Sequence, residues 1–159
     1  VAVIPLPDFK QKTVQIGYLA RTANLLGIKT PKIACIAPSE QLLPNVVSST
    51  EGALLAKMAD RGQLGDVVVD GPLSLDVALY KEVAEHKKVR GSSVAGDPDC
   101  LLFPNLESAN VFFKSLSHLC GGELAAMVMG TKVPCVLTSR GDTSKTKLYS
   151  IALACLAAR

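Results

Sequence analysis

The sequence has no tryptophan, and aromatic residues make up only 4% of it, although 48% of its residues are hydrophobic. No apolar run approaches the roughly 20 residues that span a bilayer, and no signal-peptide pattern is visible. We therefore expect no membrane contact. The net charge of +3 is mild and evenly spread, which argues against nucleic acid as a partner. The basic stretch 85–90 is interpreted as a solvated helix end.

The five cysteines contain no CxxC pair, and their number is odd. This pattern argues against a disulfide framework and for a reducing, cytoplasmic location. The two histidines, His86 and His118, are isolated from other ligand types, so no metal site is expected. Four cysteines lie in apolar stretches and are expected to be buried free thiols: Cys35, Cys100, Cys135 and Cys155.

Several motifs of well-known enzyme classes are absent: GxGxxG, GxxxxGK[ST], GxSxG and HExxH. Their absence argues against the corresponding dinucleotide, P-loop, hydrolase and zinc-protease sites. The carboxylates Asp70, Asp76, Asp97 and Asp99 fall at predicted strand ends and turns. One of them could act as a base, but capping and turn formation explain each position.

Apolar runs of about five residues alternate with segments of helical periodicity, which predicts an α/β fold. We expect a mixed or parallel sheet with helices on both faces, in three layers. Gly71-Pro72 is expected to end the second strand as a turn, and the stretch 123–130 is ambiguous. The last helix is almost entirely apolar from Ile151 onward and should be buried or covered by a partner. The predicted strands are 31–37, 66–70, 99–103 and 134–138; the predicted helices are 8–26, 50–60, 73–88, 105–119 and 143–159.

The turn 139–142 between the last predicted strand and helix is a candidate anion site. The Ser139 hydroxyl can donate a hydrogen bond, and the Arg140 guanidinium can bind two oxygens at once. Gly141 permits close approach of the backbone, and a helix N-terminus follows. In open α/β sheets, ligands bind outside the carboxyl ends of strands. A capped turn with a solvated arginine fits the same residues.

The polar face of the helix 105–119 carries Asn110 and Lys114, which are four residues apart and project together. An amide beside an ammonium group suits a phosphate or a carbonyl oxygen. An ordinary solvated helix face is the simpler interpretation of this helix alone. Its opposite face carries the apolar residues Leu106, Ala109, Phe112, Phe113 and Leu116.

Four segments, occurring in one order, resemble the phosphate acetyl/butyryl transferase family. They are VDGPLSLD (69–76), AGDPDCLLFPN (95–105), the Asn110-x-x-x-Lys114-Ser-Leu stretch and LTSRGD (137–142). The PLSLD motif is closer to the butyryltransferase branch of this family. The resemblance runs from about Pro7 to the end of the chain.

The resemblance implies a reversible exchange in which acyl-CoA and phosphate give acyl phosphate and CoA. CoA and phosphate would be substrates, and no cofactor is implied. Ser139 and Arg140 match the catalytic pair of the family. Asn110, Lys114, Gly141 and Asp142 match positions that bind substrate. The implied fold is similar to isocitrate and isopropylmalate dehydrogenases, with two α/β domains around a cleft, in a homodimer.

Two departures from the family pattern are visible. Acetyl-transferring relatives carry an aspartate seven residues after the serine, where this chain has Thr146, so Asp142 is the nearest carboxylate. Family members are also about twice as long, and this chain begins with valine. It therefore resembles the C-terminal half: residues 1–135 as a second domain, and residues 136–159 as a strand and helix returning to the first.

Two alternatives stay open at this point. The chain could be a non-catalytic module that binds CoA or phosphate and dimerises. It could also come from a decarboxylating dehydrogenase of the same fold, which would need a nicotinamide and a divalent metal.

Overall fold

A computed structural model describes residues 3–158 of the chain. The chain divides into two compact units. One, the sheet unit, is Leu6–Asn105; the other, the C-terminal unit, is Leu106–Arg159 with Val1–Pro5. These two units are defined by contacts within the present chain. The predicted domain boundary between residues 135 and 136 refers to a longer, two-domain protein, and it stays a prediction. In the described range, no helix combines the length and apolar content needed to cross a bilayer.

The first helix of the sheet unit, α1 (Phe9–Leu25), begins and ends as predicted. The Asp8 carboxylate accepts a hydrogen bond from the Gln11 N–H at 2.7 Å, and the Gln11 side chain accepts one from the Asp8 N–H at 2.9 Å. This reciprocal capping box satisfies two backbone donors at the start of the helix. Gly27, with a φ of 92°, follows its end, as a left-handed residue after a helix commonly does.

The sheet consists, among the described residues, of three parallel strands in the order β2-β1-β3. Their bounds are Lys32–Ile36 for β1, Val68–Leu73 for β2 and Cys100–Leu102 for β3. Helix α2 (Val47–Asp60) connects β1 to β2. The expected α/β fold is confirmed, and of the two expected kinds of sheet, mixed or parallel, the described strands form a parallel one. The predicted helix 50–60 begins three residues earlier than expected.

The alternation of side chains along β1 places a hydrophobic cluster on each face of the sheet. Ile33 and Cys35 pack with Ile16 of α1 and Leu55 of α2. Ala34 packs in a second cluster on the other face. That cluster contains Leu73, Val77, Ala78, Ala84 and Val94. The sheet unit therefore has helices on both faces, as expected.

The predicted turn at Gly71-Pro72 is wrong, because β2 continues through both residues to Leu73. The Gly71–Pro72 peptide bond is cis, and the register with β1 shifts between Ala34 and Ile36. A Cβ atom on Gly71 would lie 2.6 Å from the Cβ of Cys35. Glycine is therefore required by the close approach of two strands, and the local turn signal was misleading.

The predicted helix 73–88 is interrupted, giving α3 (Leu75–Leu79) and α4 (Lys81–His86). Tyr80 between them is extended, with φ −122° and ψ 116°. The loop 91–98 packs at this break. The Gly96 N–H donates to the Ala78 carbonyl at 2.9 Å, and Val94 is fully buried. A tertiary contact therefore ends the first helix, which the local sequence pattern does not reveal.

The C-terminal unit contains helices α5 (Leu106–His118) and α6 (Ser144–Ala157). The predicted strand 134–138 is wrong. Among pairings between described residues, these five residues contribute only that of Cys135, a single antiparallel bridge with Val128. Pro134 has no N–H to donate, and Val133 and Leu137 are 69% and 64% exposed. An apolar run becomes a strand only if a neighbouring strand pairs with it.

The expected burial of the cysteines is right for Cys35 and wrong for two others. Cys135 and Cys155 are exposed, and Cys100 is half-buried. Burial raises the pKa of the Cys35 thiol to about 12, which keeps that group protonated and unreactive. Helix α6 explains the exposure of Cys155. Among its described residues, only Ser150 is buried, while Leu148 and Ile151 are 62% and 54% exposed.

Candidate functional site

The turn Ser139–Asp142 forms where the sequence predicts it and is closed by its own groups. The Asp142 N–H donates to the Ser139 carbonyl at 3.1 Å. In return, the Ser139 N–H donates to Oδ2 of Asp142 at 2.7 Å. The Ser139 hydroxyl oxygen accepts a longer bond from the Gly141 N–H at 3.4 Å. The Ser139 hydroxyl oxygen is the acceptor in this bond, so its proton can be donated to a ligand.

Lys114 of α5 reaches this turn. Its Nζ lies 3.4 Å from Oδ1 of Asp142 and 5.4 Å from the centre of the Phe113 ring. The Asp142 side chain is 12% exposed and the Lys114 side chain 36%. This ion pair joins α5 to the turn across 28 residues of sequence. Four predicted site residues are thus assembled: Lys114, Ser139, Gly141 and Asp142.

Arg140 and Asn110 are not joined to this assembly. Arg140 is exposed, and within residues 3–158 no ion pair engages its guanidinium. Asn110 lies one turn before Lys114 on α5 and is also exposed. An exposed guanidinium beside a constrained turn is available to an anion. The roles assigned to both residues stay predictions.

Helix α6 begins directly after the turn, as predicted, with Thr143 as its N-cap. The Thr143 hydroxyl oxygen accepts a hydrogen bond from the Thr146 N–H at 3.1 Å. One of the N–H groups that could have bound an anion is therefore used by the chain itself. The turn also does not follow a strand of the sheet, contrary to the expected position at a strand end.

A cavity of about 280 Å³ opens beside the turn, within the C-terminal unit. The end of α5, the loop 121–124, the turn and the first turn of α6 form its wall. Two predicted site residues, Gly141 and Asp142, line it together with Thr146. It also contains three charged or titratable side chains that sequence reasoning did not select: His118, Glu123 and Lys145.

Glu123 and Lys145 form an ion pair at this cavity. The Tyr149 hydroxyl donates to the other Glu123 oxygen at 3.1 Å, and the Lys145 Nζ lies 5.6 Å from the Tyr149 ring centre. Hydrogen bonds from Lys145 and then Tyr149 lower the pKa of Glu123, and the bond to Glu123 raises the pKa of Lys145. Both groups are charged at neutral pH. No local motif joins residues 22 positions apart, so no sequence signal could identify this pair.

The sheet unit has a second, much smaller cavity at the carboxyl ends of β1 and β3. Its volume is about 10 Å³, which accommodates about one water molecule. Beside it, Lys12 is 4% exposed and pairs with Glu51 at 2.5 Å. This edge of the sheet is where ligands of open α/β folds bind, but the space there is filled by side chains.

The described residues contain no group of three or more His, Cys, Asp or Glu side chains that could hold a metal ion.

Comparison with known proteins extends the resemblance seen in the motifs. The family model described as Phosphate acetyl/butaryl transferase matches residues 1–155. The chain is 44% identical to phosphate butyryltransferase from Clostridium acetobutylicum over 158 residues, covering 99% of this chain and 52% of that protein. It is 42% identical to phosphate acetyltransferase from Thermotoga maritima, covering 92% of this chain and 50% of that protein.

A solved structure agrees with these relatives. A branched-chain phosphotransacylase from Enterococcus faecalis V583 is similar with a TM-score of 0.88 and 30% identity, covering 99% of this chain and 56% of that one. The chain spans about half the length of the relatives that it matches. The motif segments, the fold and the sequence comparison agree, and the match extends over nearly the whole sequence. This chain belongs to the phosphate acetyl/butaryl transferase family.

Proposed function

We propose that the protein to which this chain belongs transfers a short-chain acyl group from acyl-CoA to inorganic phosphate. A phosphate oxygen attacks the thioester carbonyl carbon, the carbon–sulfur bond breaks, and acyl phosphate and CoA thiolate are formed. The reverse reaction uses the same groups. The observation that carries the proposal is the family match over residues 1–155, which includes the Ser139-Arg140 turn.

For this reaction the site must bind phosphate, stabilise the oxyanion that forms on the carbonyl oxygen, and stabilise the leaving thiolate. Arg140 suits the phosphate, because its planar guanidinium binds two oxygens in a fixed geometry. The Ser139 hydroxyl proton suits the carbonyl oxygen or the thiolate. Asn110 is assigned to the same cleft by the family resemblance. Phosphate is already ionised at neutral pH, so the reaction does not require a strong base.

The test is release of CoA thiol by the full-length protein, measured with and without phosphate. We expect release from butyryl-CoA only when phosphate is present, with formation of butyryl phosphate. A full-length protein that shows no phosphate-dependent release with any acyl-CoA from two to six carbons would refute the proposal. A requirement for NAD and Mg²⁺ would favour a decarboxylating dehydrogenase instead.

A second candidate is favoured by the exposed apolar side chains of α6. Residues 1–159 alone could be a module that binds CoA or phosphate weakly and dimerises without catalysis. The chain spans about half of its relatives, and α6 exposes the apolar side chains of Leu148 and Ile151. Calorimetry of this chain with CoA, beside an activity assay, separates the two. Turnover by the isolated chain at the rate of the full-length protein would refute the module.

We further propose, from the family resemblance, how the whole protein is arranged. This chain would be the C-terminal half, with residues 1–135 in a second α/β domain and residues 136–159 returning to the first. The fold would be similar to isocitrate and isopropylmalate dehydrogenases, and the protein would be a cytoplasmic homodimer. The PLSLD motif, which is closer to the butyryltransferase branch, suggests butyryl as the acyl group.

A further inference from the structure

We propose that Asp142 is a positioning residue, whose carboxylate holds the Ser139–Arg140 turn in shape and binds Lys114 so that Arg140 is the cation left for phosphate. This role differs from binding substrate, the role that the resemblance implies for Asp142 and Lys114. It differs also from that of a proton acceptor, for which Asp142 is the nearest carboxylate to Ser139 in sequence. The kinetic part of the proposal rests on the acyltransfer function; the part that concerns the turn does not.

Both oxygens of the Asp142 carboxylate are engaged by the chain itself. Oδ2 accepts the Ser139 N–H at 2.7 Å, and Oδ1 lies 3.4 Å from the Lys114 Nζ. The short bond from a backbone N–H to a charged acceptor is among the stronger hydrogen bonds in proteins. The Asp142 side chain is only 12% exposed. A proton acceptor needs an oxygen directed at its substrate, and these two oxygens are directed at the turn and at α5.

The turn depends on this carboxylate because the sheet does not support it. A turn that follows a sheet strand is held by the hydrogen bonds of that strand. Here residues 134–138 have only the bridge at Cys135, and Ser139 and Arg140 are both exposed. The bonds from Asp142 to Ser139 and Lys114 therefore link the turn to α5, across 28 residues of sequence. Without them the backbone carrying Ser139 and Arg140 would sample several conformations.

The ion pairs near the turn also support Arg140 as the cation that binds phosphate. Lys114 is neutralised by Asp142 and lies against the Phe113 ring, and Lys145 is neutralised by Glu123. Within residues 3–158, no ion pair includes Arg140 or Lys147, and of these two exposed cations Arg140 lies in the turn itself whereas Lys147 lies on α6. An incoming phosphate would have to displace a carboxylate to use Lys114 or Lys145, whereas Arg140 needs no such exchange.

Two substitutions at Asp142 separate positioning from proton transfer. Asp142→Asn keeps an oxygen that can accept the Ser139 N–H but cannot take up a proton. Asp142→Ala removes the acceptor altogether. If Asp142 positions the turn, we expect Asp142→Asn to retain kcat/KM for phosphate within about fivefold, and Asp142→Ala to lose about 10- to 100-fold. If Asp142 were a base, both variants would lose about 100- to 10,000-fold alike.

Lys114→Met tests the second half of the proposal. We expect it to lower kcat/KM for phosphate about two- to tenfold, less than Asp142→Ala, because it removes the link to α5 but keeps the bond from Ser139 to Asp142. A loss greater than that of Asp142→Ala, seen in KM for phosphate, would mean that Lys114 binds phosphate itself and would overturn this half of the proposal. The double variant Lys114→Met/Asp142→Asn should have a kcat/KM for phosphate at least as high as that of Asp142→Asn. Asp142→Asn leaves the Lys114 ammonium without its carboxylate, and the double variant removes that ammonium. The matched control is Asp60→Asn, which breaks an exposed ion pair with Lys57 at 3.2 Å far from the turn in sequence. It should leave all constants unchanged.

Hydrogen exchange of the full-length protein, measured without substrate, supplies a readout that does not depend on catalysis. Asp142→Ala should speed exchange of the Ser139 and Asp142 amides about tenfold, and Asp142→Asn should change it less than threefold. Unchanged exchange in Asp142→Ala, or equal kinetic losses of 100-fold or more in both Asp142 variants, would overturn the proposal. If the parent has no phosphate-dependent activity but the exchange pattern is as expected, the acyltransfer function fails and the positioning role stands.

Discussion

At the scale of single residues, Arg140 is the side chain on which the proposed chemistry depends most. Arg140→Lys keeps the positive charge but loses the bidentate hydrogen bonding of the guanidinium, so it is not a conservative change at a phosphate site. A charge-assisted bidentate contact is worth about 2–4 kcal/mol in the transition state, or about 30- to 1,000-fold in rate. We expect this loss in Arg140→Lys and Arg140→Gln, mostly as poorer use of phosphate.

Steady-state kinetics of the full-length protein in both directions measures this effect. Arg61→Lys is the matched control, because Arg61 is also exposed and lies at the end of α2, outside the proposed site. Thermal stability should be unchanged, since an exposed arginine in a turn contributes little to folding. If both Arg140 variants keep the phosphate dependence of the parent within about threefold, Arg140 is a solvated residue and phosphate binds elsewhere.

At the scale of secondary structure elements, the start of α3 is held by a network of charges that gives stability a pH dependence. Lys87 lies 3.0 Å from Asp76 and 3.4 Å from Glu40. The Ser74 hydroxyl, which has one proton to share between Asp76 and Glu40, lies 3.2 Å from the Glu40 carboxylate. Hydrogen bonding from Ser74, then from Lys87, lowers the pKa of Asp76 to about 2.

The consequence of this depressed pKa is stability that is lost in acid. Because the pKa of Asp76 is lower in the folded chain than in the unfolded chain, its ionised form favours folding above about pH 4. The contribution falls as the pH falls from about 4 towards 2. We expect Asp76→Asn to be less stable than the parent at pH 7, with the difference narrowing below pH 4. Midpoints of urea denaturation for the parent and Asp76→Asn at pH 7, 4 and 3 measure this difference in stability. A difference that stays constant with pH would contradict the lowered pKa of Asp76.

The break between α3 and α4 depends on Gly96. Its φ is 83°, and a Cβ atom there would lie 2.5 Å from the Cα of Lys81. Gly96→Ala therefore adds a steric clash to the cost of a left-handed alanine, and we expect a loss of about 2–4 kcal/mol. Gly62→Ala is the matched control, since Gly62 has φ 70° with nothing within 4 Å. It should cost only about 1 kcal/mol. Equal losses in denaturant titrations of the two variants would show that the contact with Lys81 is unimportant.

At the scale of the whole molecule, α6 presents an apolar face to solvent. Leu148 is 62% exposed and Ile151 is 54% exposed, and both lie in the region that we assign to the return into the first domain. If the N-terminal half of the full-length protein covers this face, Ile151→Glu should destabilise that protein by about 2–4 kcal/mol, because a buried charge would have no partner. In the isolated chain the same change should cost less than about 0.5 kcal/mol.

Thermal denaturation of the two lengths of protein, with and without Ile151→Glu, makes this comparison. Val14→Glu is the control on α1, where Val14 is 47% exposed; it should have a small effect in both lengths. Equal, small effects of Ile151→Glu in both would mean that α6 is not covered by the N-terminal half.

The sequence by itself determined the features that depend on neighbours in the chain. Helix α1 begins directly after its cap Asp8 and ends before Gly27, because capping and a left-handed glycine are local features of the chain. The alternation of apolar strands and helices predicted a mixed or parallel sheet with helices on both faces. The Ser139–Asp142 turn formed at its predicted place, because its hydrogen bonds join residues at most three positions apart. The motif order was sufficient to identify the family.

Only the tertiary structure decided the features that depend on distant residues. Residues 134–138 have the composition of a strand, but within the described part of the chain only Cys135 among them pairs, in a single bridge. The helix 73–88 breaks because the loop carrying Gly96 packs at Tyr80, and β2 passes through Gly71-Pro72 because glycine allows the approach of Cys35. In the candidate site, Lys114 meets Asp142 and Glu123 meets Lys145 across 28 and 22 residues. Charge pairs of this kind are set by how the chain folds back on itself, and no periodicity or motif encodes them.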